Sequence, residues 1–385
     1  MKTFSFTGAQ RFVFGRGSFA DLPGHLAGLR IAKPLIVVDG SLESLGFDEK
    51  IEALMNHAKR DFVLYQKAVP EPPLELADDG AKLALRKKCD GVIGIGGGSA
   101  MDLAKAISVL AANKDKAVDY LGLDRVPGPG LPKVMVPTTA GTGSEVTFTA
   151  VFRRKELNKK EGMNSPYLYP ELALLDPELT LSLPPHATAT TGIDALCHAI
   201  ESYTSIIASP VSEMFSLEAI GLISDNIRTA VHDGTNIEAR EAMLLGSLYA
   251  GYGLANAGVT AVHSLSYPLG GRYGIPHGLA NTIMLPKVLA FNLPGAQEKF
   301  ATVAEVMGEI LDDLSLREAA YLCVDAVESL IEDCGVSTTL QDLNVPVEDF
   351  SALAKEAMTV ARPLANNPRR MTADDMVELY RECYS

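Results

Sequence analysis

Residues 1–180 predict an α/β domain and residues 181–385 an all-α one. Three observations carry this reading. Short strand-like apolar runs recur through the first half with helical segments between them. Those runs are continuous rather than alternating, and beyond Pro184-Pro185 strand propensity gives way to long Ala/Leu/Glu-rich segments. A length of 385 residues suits two domains, each with a core of its own.

Along the chain, residues 1–7 read as an amphipathic strand. Residues 34–40 form a β-branched apolar run stopped by Asp39-Gly40, and 61–65, 91–95, 133–137 and 172–176 are further strands. Residues 74–88 and 99–112 have helical spacing. Strands that are apolar at every position are buried on both faces, so the pattern implies a parallel sheet covered by helices on each side. The stretch 125–133, with Pro127, Gly128, Pro129, Gly130 and Pro132, is a loop. Asp176-Pro177 and the double proline mark the boundary, after which 188–208, 211–231, 236–256, 299–308, 315–334 and 373–383 read as a helical bundle.

The charge balance of 34 basic against 48 acidic residues gives −14, with no Lys/Arg-rich block. Nucleic acid and anionic membranes are therefore not expected partners. No run approaches the roughly 18–20 apolar residues that span a bilayer, and the N-terminus lacks the apolar region of a signal peptide. Cys89, Cys197, Cys323, Cys334 and Cys383 are scattered without a CxxC pair, which suits reduced thiols and a cytoplasmic protein.

Two loops carry a binding signal. Gly94-Ile95-Gly96-Gly97-Gly98-Ser99 follows a strand and opens a helix, where glycines admit a diphosphate and a helix N-terminus offers free N–H groups. Strict GxGxxG is not met, since Ser99 holds the last position, and an ordinary strand–helix turn is the competing reading. Pro137-Thr138-Thr139-Ala140-Gly141-Thr142-Gly143-Ser144 also follows a strand, so both loops are expected at the carboxyl edge of one parallel sheet. Asp39 ends an early strand, placed either to accept from a ribose hydroxyl and so favour NAD over NADP, or simply to make the Asp39-Gly40 turn.

The histidines give a third signal. Asp194 and His198 stand at i, i+4 in a helical segment, which sets a carboxylate and an imidazole on one face. His263 and His277 would be about 21 Å apart on one straight helix. Gly270, Gly271, Gly274 and Pro276 argue instead for a chain that folds back between them. A set of one Asp and three His is mixed N/O ligation suited to Fe(II) or Zn(II). His25, His57, His186 and His232 read as surface residues.

The ordered motifs GGGSAMDLAKAI, PTTAGTGSEVT, DPELTLSLPP, TGIDALCHAIESY and HSLSYPLGGRYGIPHGLAN closely resemble those of the iron-containing (group III) alcohol dehydrogenases, over essentially the whole chain. The resemblance implies an NAD-binding domain, a helical catalytic domain with the site in the cleft between them, and a homodimer or higher homo-oligomer. It places one divalent metal, Fe(II) first and Zn(II) second, on Asp194, His198, His263 and His277. Gly97, Gly98, Ser99, Thr138 and Thr139 match positions that cradle NAD, and Asp39 matches the ribose position. Thr147, Lys160 and Leu179 match positions beside the nicotinamide, with Lys159 adjacent to Lys160. The implied reaction is hydride transfer between NAD(H) and an alcohol or aldehyde whose oxygen the metal polarises.

Where many relatives carry a further histidine four residues after the third ligand, this chain has Tyr267. Its phenol is a candidate proton relay but, with a usual pKa of about 10, a poor base at neutral pH. Phe148, Thr149, Leu254 and Tyr267 suggest a modest pocket for a short-chain substrate, and Arg153, Arg154 or Arg272 would serve an anionic terminus. Two alternatives stand beside this reading. One is an NAD- and metal-using cyclase of the dehydroquinate synthase-like type, and the other a catalytically silent nucleotide- or metal-binding relative.

Overall fold

A computed structural model describes residues 3–157 and 159–385 of the protein. The chain divides into two compact units, Gly8–Leu183 and a helical unit formed by Pro184–Ser385 with the residues up to Thr7.

The first unit is built on strands β1 (Phe12–Phe14), β2 (Pro34–Asp39), β3 (Val63–Ala68), β4 (Gly91–Gly96), β5 (Gly122–Leu123), β6 (Lys133–Pro137), β7 (Thr149–Arg154), β8 (Lys159–Asn164) and β9 (Leu172–Leu175). Six of them form one sheet in the order β1-β9-β6-β4-β2-β3, with every pair parallel. Helices α1 (Leu22–Gly28), α2 (Phe47–His57), α3 (Glu75–Lys87) and α4 (Gly98–Asn113) cover it. The continuous apolar runs have a direct cause. In β2, Leu35 and Val37 join the core around α3 and α4, whereas Ile36 and Val38 join the core around α1 and α2. Each face is buried, so each position needs an apolar side chain. A smaller sheet, β5-β8-β7, pairs β7 and β8 antiparallel.

The chain leaves β2 for β3 at one edge, then returns to place β4 and β6 on the other side of β2. The carboxyl ends of β2 and β4 flank that reversal, which is where open α/β sheets bind ligands.

The strand expected at the N-terminus is absent. Met1 and Lys2 lie outside the described residues, and residues 3–7 pair with no strand. The reason is that Asn256 takes the role of a neighbouring strand. Its Oδ1 accepts from Thr7 N–H at 2.8 Å and its Nδ2 donates to Thr7 O at 2.9 Å, while Phe6 stacks on Phe215.

In the helical unit run α5 (Pro185–Thr204), α6 (Pro210–His232), α7 (Ile237–Ala257), α8 (Ala261–Tyr273), α9 (His277–Asn292), α10 (Gln297–Val306), α11 (Leu316–Asp333), α12 (Phe350–Ala357), α13 (Ala361–Asn366) and α14 (Ala373–Glu382). Helix α5 is buried from Gly192 onward and packs against α6, α7 and α9. Gly274 closes α8 in the left-handed region at φ 67°, and Pro276 precedes α9. The expected fold-back between His263 and His277 is this turn. The five cysteines are unpaired. No helix among the described residues is long and apolar enough to cross a membrane.

Candidate cofactor loops and metal centre

In the first unit, β2 and β4 pair with Val38 opposite Ile95, which sets Asp39 beside Gly96. Gly97 is the extended residue before α4, so the unpaired N–H groups and positive dipole end of α4 begin at Gly98. The loop after β6 lies against this turn. Thr138 N–H donates to Gly96 O at 3.0 Å, and a Cβ on Gly98 would stand 2.8 Å from Thr142 Cγ2. Glycine is required there by space. Thr139 Oγ1 is buried without a hydrogen-bond partner among the described residues. An orphaned hydroxyl, a helix N-terminus and a carboxylate at adjacent strand ends are the chemistry a dinucleotide would satisfy.

Lys160, Thr147 and Leu179 take different positions around these loops. Lys160 Nζ pairs with Glu71 Oε1 at 2.6 Å, and Glu71 N–H donates to Ser99 Oγ at 3.3 Å, which links the lysine to the glycine turn. Lys159 is turned instead to Glu161. Thr147 is buried, with its hydroxyl 3.3 Å from Lys105 Nζ and 3.4 Å from Ser144 O. Leu179 is a core residue on the α1 and α2 side of the sheet.

Sequence reasoning missed the support beneath the second loop. Lys105 is fully buried, and its ammonium donates to Ser144 O at 3.0 Å and Thr149 O at 2.5 Å, with Asp102 Oδ1 at 3.2 Å. Asp102 in turn accepts from Ser144 Oγ at 2.6 Å and Val151 N–H at 2.8 Å. One turn of α4 thus clamps both ends of the loop. Burial lowers the Lys105 pKa against the opposing pull of Asp102. Burial also pushes the nearby Glu145 carboxyl up to about 7, and Glu145 Oε1 has no hydrogen-bond partner among the described residues. The signal was the i, i+3 spacing of Asp102 and Lys105 inside an otherwise apolar helix.

In the helical unit, α5 supplies Asp194 and His198, α8 supplies His263 and α9 supplies His277. Their ligand atoms all lie within 4.8 Å of one another. His198 Nε2 and His263 Nε2 are 3.1 Å apart, and Asp194 Oδ1 is 3.8 Å from His198 Nε2 and 3.9 Å from His277 Nε2. Burial alone would raise the Asp194 pKa, but the three imidazoles and the Asn281 amide hold it below the usual aspartate value. Asn281, one turn beyond His277, points its Nδ2 into the same convergence. That atom lies 2.7 Å from Asp194 Oδ1, 3.2 Å from His263 Nε2 and 3.3 Å from His277 Nε2, while its buried Oδ1 finds no partner among the described residues. A carboxylate and ring nitrogens turned toward one point that attracts a hydrogen-bond donor form a donor set for a cation. The four side chains fit a divalent transition metal.

Behind these residues stands Glu201, one turn beyond His198 on α5. Its Oε2 is 2.5 Å from His263 Nδ1, and its Oε1 accepts from Thr260 Oγ1 at 2.7 Å and Val262 N–H at 2.8 Å. Cys197 joins this group with a fully buried thiol whose pKa burial raises well above the usual value. The sequence held the signal for Glu201 as well, since positions 194, 198 and 201 share a helix face. Tyr267, half-buried on α8, has its ring centroid 6.0 Å from that of His263 and 5.8 Å from that of His277. Of the other expected pocket residues, Leu254 is half-buried on α7, and Phe148 lies in the first unit against Tyr169 at 5.6 Å between ring centroids.

A family model described as iron-containing alcohol dehydrogenase matches residues 9–177, and one described as Fe-containing alcohol dehydrogenase family, C-terminal, matches residues 188–384. Long-chain-alcohol dehydrogenase 1 of Geobacillus thermodenitrificans (strain NG80-2) is 37% identical over 374 residues, covering 96% of this chain and 94% of the relative. NAD-dependent methanol dehydrogenase of Bacillus methanolicus is 37% identical over 369 residues, covering 96% and 97%. Among solved structures, a 1,3-propanediol oxidoreductase superposes with a TM-score of 0.96 at 34% identity, covering 100% of both chains.

Proposed function

The chain belongs to the iron-containing alcohol dehydrogenase family, and from that premise we propose that it moves hydride between NAD(H) and a short-chain, uncharged alcohol or aldehyde with Fe(II) as its metal. It is an oxidoreductase of the alcohol dehydrogenase class. The observation that carries the fuller reading is the convergence of buried Asp194, His198 and His263 with half-buried His277.

When bound, the metal supplies Lewis acidity toward a substrate oxygen, and the nicotinamide supplies the hydride acceptor or donor. The chain's residues do the rest. Asp194 brings one negative charge and the histidines three neutral donors, so the site keeps a net positive character toward a developing alkoxide when a divalent ion is held. Asp39, beside the glycine turn, accepts from a ribose diol and repels a 2′-phosphate, which favours NAD. The N–H groups that open α4 and the Thr139 hydroxyl receive the diphosphate, and Lys160 is held toward Ser99 by Glu71. Thr147, gripped by Lys105, shapes the nicotinamide side together with Leu179.

Tyr267 walls the metal centre with a ring set against two of its imidazoles. A flat aromatic wall supports a small substrate. Two of the three arginines support an uncharged one, because Arg272 is paired with Glu356 at 2.8 Å and Arg154 with Glu161 at 2.8 Å, so neither of these charges is open to an anionic terminus.

The test is NADH absorbance with metal-stripped protein, reconstituted anaerobically with Fe(II) or Zn(II), against short alcohols and aldehydes with and without acidic termini. Metal-dependent turnover fastest with Fe(II) and neutral substrates is expected. NAD binding with no net NADH change across the panel would defeat the substrate and metal reading. Preference for acidic substrates would defeat the uncharged assignment alone.

A further inference from the structure

We infer that Glu201 is the positioning residue of the metal centre: it fixes the His263 ring as its Nδ1–H tautomer, and it anchors the start of the helix that carries His263. The inference rests on the reading of Asp194, His198, His263 and His277 as the metal site. Glu201 is buried, and its Oε1 is held by two groups that donate to it. Val262 N–H is one of the first-turn amides of α8 that no helical carbonyl can satisfy, and Thr260 is the residue that precedes that helix. Both donate to Oε1. That leaves Oε2, an acceptor, against His263 Nδ1 at 2.5 Å. A carboxylate can only accept, so Nδ1 carries the proton; the Asn281 Nδ2 amide, which can only donate, faces Nε2 at 3.2 Å, so Nε2 is the nitrogen left with a lone pair. That lone pair faces His198 Nε2 and the Asn281 amide, the convergence a cation would occupy. A ring held from behind by a carboxylate is also the arrangement that raises the basicity of a metal-ligating histidine.

The isosteric variant Glu201→Gln separates this role from helix capping. The Val262 amide cannot reverse its polarity, so the glutamine oxygen stays with Val262 and Thr260, and the cap is retained. Its NH₂ then faces His263 Nδ1, which must become the acceptor. The proton moves to Nε2, the nitrogen the metal needs bare.

The experiment is long-range ¹H–¹⁵N NMR of the ring nitrogens in metal-free, histidine-labelled full-length protein, with His263 assigned by its loss in His263→Gln. Zn(II) and anaerobic Fe(II) affinities are read beside it by competition with a chromophoric chelator. Wild-type His263 is expected as Nδ1–H and Glu201→Gln as Nε2–H, with metal affinity about 10–100-fold weaker. In the His263→Gln background, the same change should move affinity by less than about twofold, since coupled residues lose their coupling once one is removed. A wild-type ring protonated at Nε2 overturns the inference, and so does undiminished affinity in a folded Glu201→Gln protein. If that variant does not fold, the wild-type tautomer decides by itself. Failure of the wild type to take up either metal defeats the metal reading instead, because the tautomer is read without metal.

Discussion

His198 and His263 face each other through their Nε2 atoms at 3.1 Å, with ring centroids 4.9 Å apart and both side chains buried. Nitrogen acceptors this close, with the Asp194 carboxylate beside them, repel unless a proton or a cation stands between them. Metal should therefore stabilise the folded chain. A ligand at 100 times its Kd that binds only the folded state adds about 2.7 kcal/mol. Fe(II) or Zn(II) should raise the Tm of stripped wild type by several degrees in differential scanning calorimetry, and should leave the Tm of Asp194→Asn nearly unmoved. An equal rise in both proteins would place the binding elsewhere.

The parts legible in the sequence are those with local causes. Strands β2, β4 and β6 carry uninterrupted apolar runs, with Asp39 and Lys133 only at strand ends, because helices cover both sheet faces, and a reader of residues sees that directly. The Gly274 and Pro276 turn was legible because the left-handed region and the proline each stop a helix. The parts that escaped depend on distant partners. Strands β7 and β8 pair with each other, and β7 ends in Arg153-Arg154 while β8 begins with Lys159-Lys160-Glu161, so neither shows the long apolar run that announced the main sheet. Lys105 and Asp102 stand as isolated charges in an otherwise apolar helix, and the lysine's loop partners arrive only when the loop 42 positions later folds over it. Residues 3–7 look like a strand because they alternate, yet their backbone is met by the side chain of Asn256.

The contact between the two cofactor loops is steric, and Gly98→Ala tests it. The new methyl would sit 2.8 Å from Thr142 Cγ2, and the β-branched threonine has little rotamer freedom with which to retreat. Overpacking of this kind costs about 1–3 kcal/mol. Part of that cost should be borne by the loops' bound geometry, raising KM for NAD about tenfold at little change in KM for the alcohol. Steady-state kinetics with each substrate varied in turn checks the split, and a proportionate rise in both values would refute a loop-specific effect.

Tyr267 touches the metal centre as a ring, so its hydroxyl is the part to remove. Tyr267→Phe keeps the wall against His263 and His277 and deletes the one proton-bearing atom. A phenol with a usual pKa of about 10 is seldom ionised at neutral pH. The variant is therefore expected to keep kcat within about twofold and to keep the shape of its pH–rate profile between pH 6 and 9, with proton transfer left to water or the ribose hydroxyl. Disappearance of a limb from that profile would assign the relay to the phenol.

Glu145 links the second loop to the pH dependence of stability. Its carboxyl is fully buried, one oxygen is unpartnered among the described residues, and burial raises its pKa from 4.5 to about 7 despite the nearby Lys105 ammonium. Between those two values the folded chain keeps a proton that the unfolded chain has released. The folded state thus binds more protons, and stability falls as pH rises from about 4.5 to about 7. Above that window both states are ionised and the full penalty is present. Glu145→Gln carries no such proton, so its Tm relative to wild type should rise between pH 5 and pH 8. The expected gain is on the order of 1–3 kcal/mol, since each pH unit of that window carries about 1.4 kcal/mol, and each kcal/mol is about 2–4 °C in a unit of this size. The gain is reduced by whatever support the Glu145 carboxylate gives Lys105, whose charge it helps hold against burial. Calorimetry of both proteins at pH 5, 6, 7 and 8 reads the trend. A Tm difference that stays flat across the series would mean that Glu145 is ionised in the folded chain throughout, with Lys105 rather than a proton satisfying its charge.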